Sequence, residues 1–250
     1  MIQDLHSHTY YSFCGHNTPE AVVEAAIEGG IELLGITDHN YGIGFSRFDA
    51  FSAPESVIKT EYDARMLKRY FDHINLIKEK YADKITVLRG IEVATTAQAL
   101  RYSLPEGVDV SFFDYALVEN LGLGDDSIVK GDIVAFAERL GTKTVGIAHT
   151  DMFTFLEKRG LDSYNYFKRM AENNIFWEMN VNYDSTHNYR EYKYVLNFFE
   201  DAEKQQIVRE SGVRLSIGFD GHLVKDYLPE RVKEYCKKVT DLCIKLAFED

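Results

Sequence analysis

Seven short apolar runs, each able to form a buried strand, alternate along this chain with longer amphipathic segments. That alternation restricts it to an α/β architecture. The runs occupy the opening through His8, then residues 31–37, 85–92, 112–118, 144–148, 175–179 and 213–217. Between them, Thr18-Pro19-Glu20 reads as a helix entry ahead of a run ending at Gly29 and Gly30. Further helical spacing covers 54 to about 81, 133–140, 164–171, a long segment over 192–210, and 229 to about 246. Ligand-type polar residues fall directly after several strands. Loops at one face of a βα barrel gather residues in this way, so the pattern favours a barrel over an open sheet. With 250 residues, 45% of them hydrophobic, and no linker, repeat or low-complexity block, the chain is expected to be a single domain over 1–250.

Charge narrows the partners. Forty acidic side chains against 28 basic ones give a formal net charge of −12, which disfavours nucleic acid and anionic membranes. A compact anion site stays compatible with this balance, because a bound metal reverses the local potential. There is no bilayer-length apolar stretch, no signal peptide, no glycine-rich phosphate loop, no dinucleotide fingerprint and no basic stripe interleaved with aromatics. Cys14, Cys236 and Cys243 do not form a disulfide framework. The expectation at this point is a cytoplasmic protein, monomeric or a small homo-oligomer, with no dedicated nucleic-acid or membrane surface.

The chemistry is carried by Asp4-Leu5-His6-Ser7-His8. In an extended segment His6 and His8 point to one side, so two imidazoles can converge on one ion. Other candidates follow later strands: His16, His39 after Ile36-Thr37-Asp38, Glu92, His149, and Asp220 with His222. Carboxylates suit hard cations and can bridge two of them, while neutral imidazoles suit zinc, iron, nickel or manganese. Six histidines and two carboxylates at strand ends point to a site for more than one metal. Glu92, Asp220 and His222 are also the candidate catalytic residues.

This ordered set resembles the polymerase and histidinol phosphatase (PHP) family across essentially the whole chain. It runs from Asp4-Leu5-His6-Ser7-His8 through Thr37-Asp38-His39, Glu92 and Ala148-His149 to Gly218-Phe219-Asp220-Gly221-His222. Phe13-Cys14-Gly15-His16 and the helix after it look like the histidinol-phosphatase branch. The resemblance implies a distorted seven-stranded (β/α)7 TIM-like barrel holding two or three divalent ions, of zinc, iron or manganese. It implies one ion at His6, His8, Glu92 and Asp220, a second at His16, His39 and His222, and a third at Glu92 and His149. Glu92 would bridge, and Asp38 would orient a histidine ring from behind. Where the family commonly supplies one more histidine, this chain has Glu119 and Asn120, which are candidate replacements.

Hydrolysis of a phosphomonoester, with histidinol phosphate as the leading candidate, fits such a site. Bound metals neutralise phosphate oxygens and activate water at ordinary pH. Arg47 and Arg190 are candidate phosphate contacts, and Asn180, Asn182, Tyr183 and His187 candidate substrate contacts. Tyr10, Tyr11, Phe45 and Phe48 could complete an aromatic wall with Tyr183, whereas His73 sits within a helix and reads as structural. A phosphodiesterase or nuclease with the same metals, or a noncatalytic metal- or phosphate-binding PHP domain, are the alternatives.

Overall fold

A computed structural model describes residues 1–40, 61–95, 104, 108–121, 129 and 132–249, with the side chains of 61–64 left out. Seven strands form one sheet in chain order: β1 (Gln3–Asp4), β2 (Leu33–Ile36), β3 (Thr86–Ala94), β4 (Tyr115–Glu119), β5 (Val145–Ile147), β6 (Ile175–Asn180) and β7 (Leu215–Gly218). Every neighbouring pair is parallel. Beyond the last ladder, Leu5 N donates to Ile217 O at 2.8 Å, Asp220 N to His6 O at 2.7 Å and His8 N to Gly221 O at 2.9 Å. These bonds join the first strand's extension to the last and bring the sheet round into a nearly closed seven-stranded barrel.

The helices cover the outside: α1 (Pro19–Glu28), α2 (Glu61–Lys80), α3 (Ile133–Leu140), α4 (Met152–Glu157), α5 (Ser163–Glu172), α6 (Lys193–Glu200), α7 (Ala202–Ser211) and α8 (Pro229–Asp241). Thr18 caps α1 by accepting from Ala21 N, with Pro19 in the first turn where its missing N–H costs nothing. None of the helices among the described residues is long and apolar enough to cross a membrane.

Period-two alternation divides each strand between two cores. Leu34, Ile36, Ala116, Val118, Trp177 and Met179 face the helices, while Leu33, Tyr115, Leu117 and Phe176 fill the barrel interior. The interior is narrow. A Cβ on Gly35 would lie 1.8 Å from the Tyr115 hydroxyl, and one on Gly90 would lie 2.8 Å from its ring. Glycine on β2 and β3 therefore makes room for Tyr115, whose hydroxyl donates to Leu5 O at 2.6 Å.

Three helix expectations change. The segment expected as one helix over 192–210 is two, because Asp201 is extended (φ −111°, ψ 98°) and its carboxylate accepts from Glu203 N and Lys204 N, starting α7 afresh. The short α4, capped by Asp151, is an addition. The last helix stops at Asp241, and the chain returns to the barrel, with Leu246 pairing beside Leu215.

Candidate metal centre

The interior register leads directly to the site. On β3 the inward positions run Leu88, Gly90, Glu92; on β4 they run Tyr115, Leu117, Glu119; on β6 they run Phe176, Glu178, Asn180. Each line begins in the apolar floor and ends in polar groups at the C-terminal end of the strand. The end of β7 adds Gly218 and Asp220 in the same register. All four carboxylates are buried.

Glu92 lies at the centre. Its Oε1 is 3.1 Å from His149 Nε2 and 3.3 Å from His6 Nε2. Its Oε2 is 2.8 Å from His39 Nδ1 and 3.5 Å from His8 Nε2. Asp220 Oδ1 lies 3.1 Å from His8 Nε2 and 3.5 Å from His6 Nε2. Four histidines from the ends of three strands thus share one carboxylate.

Partners behind the rings set which nitrogen faces inward. His6 Nδ1 donates to Glu178 Oε1 at 2.7 Å, leaving Nε2 toward Glu92. Ser12 donates its hydroxyl to Asp38 Oδ1 at 2.6 Å, so its oxygen accepts from His39 N at 2.9 Å and faces His8 Nδ1 at 3.3 Å. Asp38 also accepts from Thr9 N and Oγ1 at 2.8 and 2.7 Å. It therefore reaches the His8 ring only through Ser12. Gly218 is required here, since a Cβ there would fall 2.0 Å from Glu178 Oε1 and 2.7 Å from His6 Cβ.

Burial opposes charge on every group, and the neighbours decide the outcome. Burial disfavours the Glu92 carboxylate, but His6 and His39 outweigh it and hold the carboxyl well below its ordinary range. Asp220 is held down likewise by His6 and His8. Burial and repulsion from His222 drive His8 down to about 3. His149 is raised to about 9 and His222 to about 10, because nearby carboxylates overcome the burial that opposes their charge.

The donors fit divalent metals. Two atoms bound to one ion at about 2.0–2.1 Å with near-tetrahedral angles lie roughly 3.3 Å apart. His6 Nε2 and His8 Nε2 face each other at 3.2 Å, and both approach Glu92 and Asp220 at 3.1–3.5 Å. When both nitrogens carry lone pairs they repel at this spacing, and either a proton on one of them or a metal ion between them removes the repulsion. The described ion-pair partners of Glu92, Glu178, Asp184 and Asp220 are all histidines. Buried carboxylates in such number need positive charge, and metals supply it. Groups whose ligand atoms all lie within 4.8 Å include His6/His8/Glu92, His8/Asp220/His222, His39/Glu92/Glu119, His8/Cys14/His39 and Asp184/His187/His222.

Other expected residues fall elsewhere. The His16 side chain is exposed and outside these groups, and its backbone N–H donates to His222 O at 3.1 Å. Cys14, two residues earlier, turns inward instead, and although burial raises its thiol pKa, His39 and His222 bring it below its ordinary value. Glu119 Oε1 is 3.4 Å from His39 Nδ1, while the half-buried Asn120 turns the chain with φ 64°. Asn180 and Asn182 are both buried, and their side chains bond within the fold. Asn180 Nδ2 donates to Asp220 Oδ2 at 3.2 Å, and Asn182 Nδ2 to Phe219 O and Asp220 O at 2.9 and 3.0 Å.

Exposed Tyr183 packs on Tyr189, with ring centroids 5.5 Å apart. Exposed Arg190 lies 5.3 Å over the Tyr192 ring, which stacks on His149 at 6.1 Å. Tyr11 is turned away, its hydroxyl 2.8 Å from His73 Nδ1. Arg47, Phe45 and Phe48 lie outside the described residues. Sequence reasoning missed Glu178, Asp184 and Ser12. A lone carboxylate inside the apolar strand Ile-Phe-Trp-Glu-Met was the available signal for the first.

The model of the PHP domain matches residues 4–246. This chain belongs to the PHP domain family. Among solved structures of similar fold is the histidinol phosphate phosphatase of Lactococcus lactis subsp. lactis, complexed with zinc, L-histidinol and phosphate. It is 17% identical over 98% of this PHP chain and 95% of its own, with a TM-score of 0.55. A Listeria monocytogenes protein assigned as a histidinol phosphatase is 15% identical over 98% and 93%, with a TM-score of 0.40. Among curated proteins none matches this chain.

Proposed function

We propose that this PHP chain is a metal-dependent phosphatase of small phosphomonoesters, working as one domain over residues 1–250. The observation that carries the reading is Glu92, whose two oxygens are shared by His6, His8, His39 and His149 within 3.5 Å. Such a mixed nitrogen and oxygen set would hold divalent zinc, iron or manganese, which would supply positive charge for phosphate oxygens and lower the pKa of water. The protein's own groups prepare that chemistry. Glu178 and Ser12 keep Nε2 of His6 and His8 inward, Asn180 holds Asp220, and Glu92 is kept ionised.

Tyr192 stacks beside His149 with Arg190 over its ring, and this neighbourhood supports Arg190 as the contact for the nonreacting phosphate oxygens. The relative from Lactococcus lactis holds L-histidinol and phosphate, so histidinol phosphate is the first ester to test. The net charge of −12 supports a small metabolite over a polyanionic partner.

The experiment is phosphate release by metal-reconstituted protein from histidinol phosphate, other phosphomonoesters and phosphodiesters. Phosphomonoester turnover is expected, falling by more than roughly 100-fold in Glu92→Gln with the fold retained. Outer-sphere changes, by comparison, cost about 10–100-fold. Turnover confined to diesters overturns the phosphatase reading. Phosphate binding without turnover would make the domain a noncatalytic binder.

A further inference from the structure

One buried group stands beside the Glu92-centred cluster and has no role in it. Asp184, in the loop after β6, is 0% exposed. Its Oδ1 lies 2.9 Å from both the backbone N and the Nδ1 of His187. Its Oδ2 points at His222 Nδ1 across 3.5 Å. Both atoms of that last pair are buried, and neither has a hydrogen-bond partner among the described residues. The separation is long for a hydrogen bond and close to the roughly 3.3 Å edge of a tetrahedral coordination shell.

We propose that Asp184, His187 and His222 hold a divalent cation of their own, beside the ions around Glu92. The inference rests on the metal-dependent reading above and adds a site to it. The three ligand atoms lie within 4.8 Å of one another, close enough to converge on one ion. Their positions are set in advance by the fold. Asn182 donates to Phe219 O and Asp220 O, locking the β6 loop against the segment that carries His222. Asp184 itself is anchored, with its N–H donating to Asn182 Oδ1 at 3.2 Å and its O accepting from Tyr189 N at 2.8 Å.

Two imidazoles and one carboxylate form a donor set for zinc or ferrous iron that leaves coordination positions open. The His187 side chain is 21% exposed, so the open side faces solvent and can accept an anion such as a phosphate oxygen.

The test counts metal. Zinc-reconstituted protein is dialysed against graded chelator and zinc per chain is measured by elemental analysis, for the parent, Asp184→Asn, His187→Gln and Glu92→Gln. Asp184→Asn should lose one equivalent and keep the rest. His187→Gln also removes a ligand and should release the same equivalent at chelator strength lowered by more than the roughly 10–100-fold that loss of a partner behind a ligand costs. Glu92→Gln should lose ions other than this one. If Asp184→Asn does not fold, as judged by circular dichroism, His187→Gln decides. Unchanged stoichiometry and chelator dependence in the foldable variants overturn this site alone. A parent protein that binds no zinc, iron or manganese overturns the metal-dependent reading together with it.

Discussion

At the scale of single residues, His6 and His8 are each oriented by a fixed partner behind the ring. Glu178 does this for His6, and its second oxygen also accepts from His149 N at 2.6 Å. Glu178→Gln should therefore leave the barrel folded and weaken metal binding by about 10–100-fold, measured by competition with a chromogenic chelator. Unchanged affinity would remove Glu178 from the centre. His16→Ala, by contrast, should keep both metal content and activity at the parent level, because the ring is exposed. Most of the cluster was legible in the sequence. His6, His8, His39, Glu92, His149, Asp220 and His222 all sit at strand ends, where period and position suffice. The inward turn of Cys14 was not legible, because it lies in an irregular turn whose path depends on Thr9, Ser12 and Asp38.

At the scale of elements, hydrophobic period marked the strands and failed at breaks made by polar side chains. Apolar spacing continues across Asp201, yet its carboxylate accepts two amide N–H groups and divides α6 from α7. Asp201→Ala should cost about 1 kcal/mol in chemical denaturation by leaving those donors uncapped. No loss would mean that packing alone sets the break. The last helix ends early for a related reason. Leu215 N donates to Lys245 O, and Ala247 N to Leu215 O, at 3.0 and 2.7 Å, so the final residues gain ladder bonds that a longer helix would forgo.

At the scale of the molecule, closure of the barrel and the charge of its centre are tied together through Asp4. Its Oδ1 accepts from Phe219 N at 2.9 Å and its Oδ2 from Tyr227 at 2.9 Å, stitching the first strand to the last. Burial raises its pKa from 3.8 to about 6 against the pull of those donors. A raised carboxyl pKa means that the folded state binds the proton more tightly. This contribution to stability is full below the unfolded pKa of 3.8 and is lost as pH rises through about 6. In metal-free protein, Asp4→Asn should therefore gain stability relative to the parent between about pH 4 and about pH 7, as read from urea midpoints. A difference that does not vary with pH would show that Asp4 is not held protonated.

The sequence by itself determined the alternation of strands and helices, the family, and the candidate metal-binding groups at the strand ends, because these depend on local period and residue chemistry. Tertiary structure alone decided which groups meet. Asp184 finds His222, and Glu178 finds His6, across 38 and 172 positions of chain. The register of parallel strands around a glycine-lined interior brings them together, and that register is a property of the whole sheet.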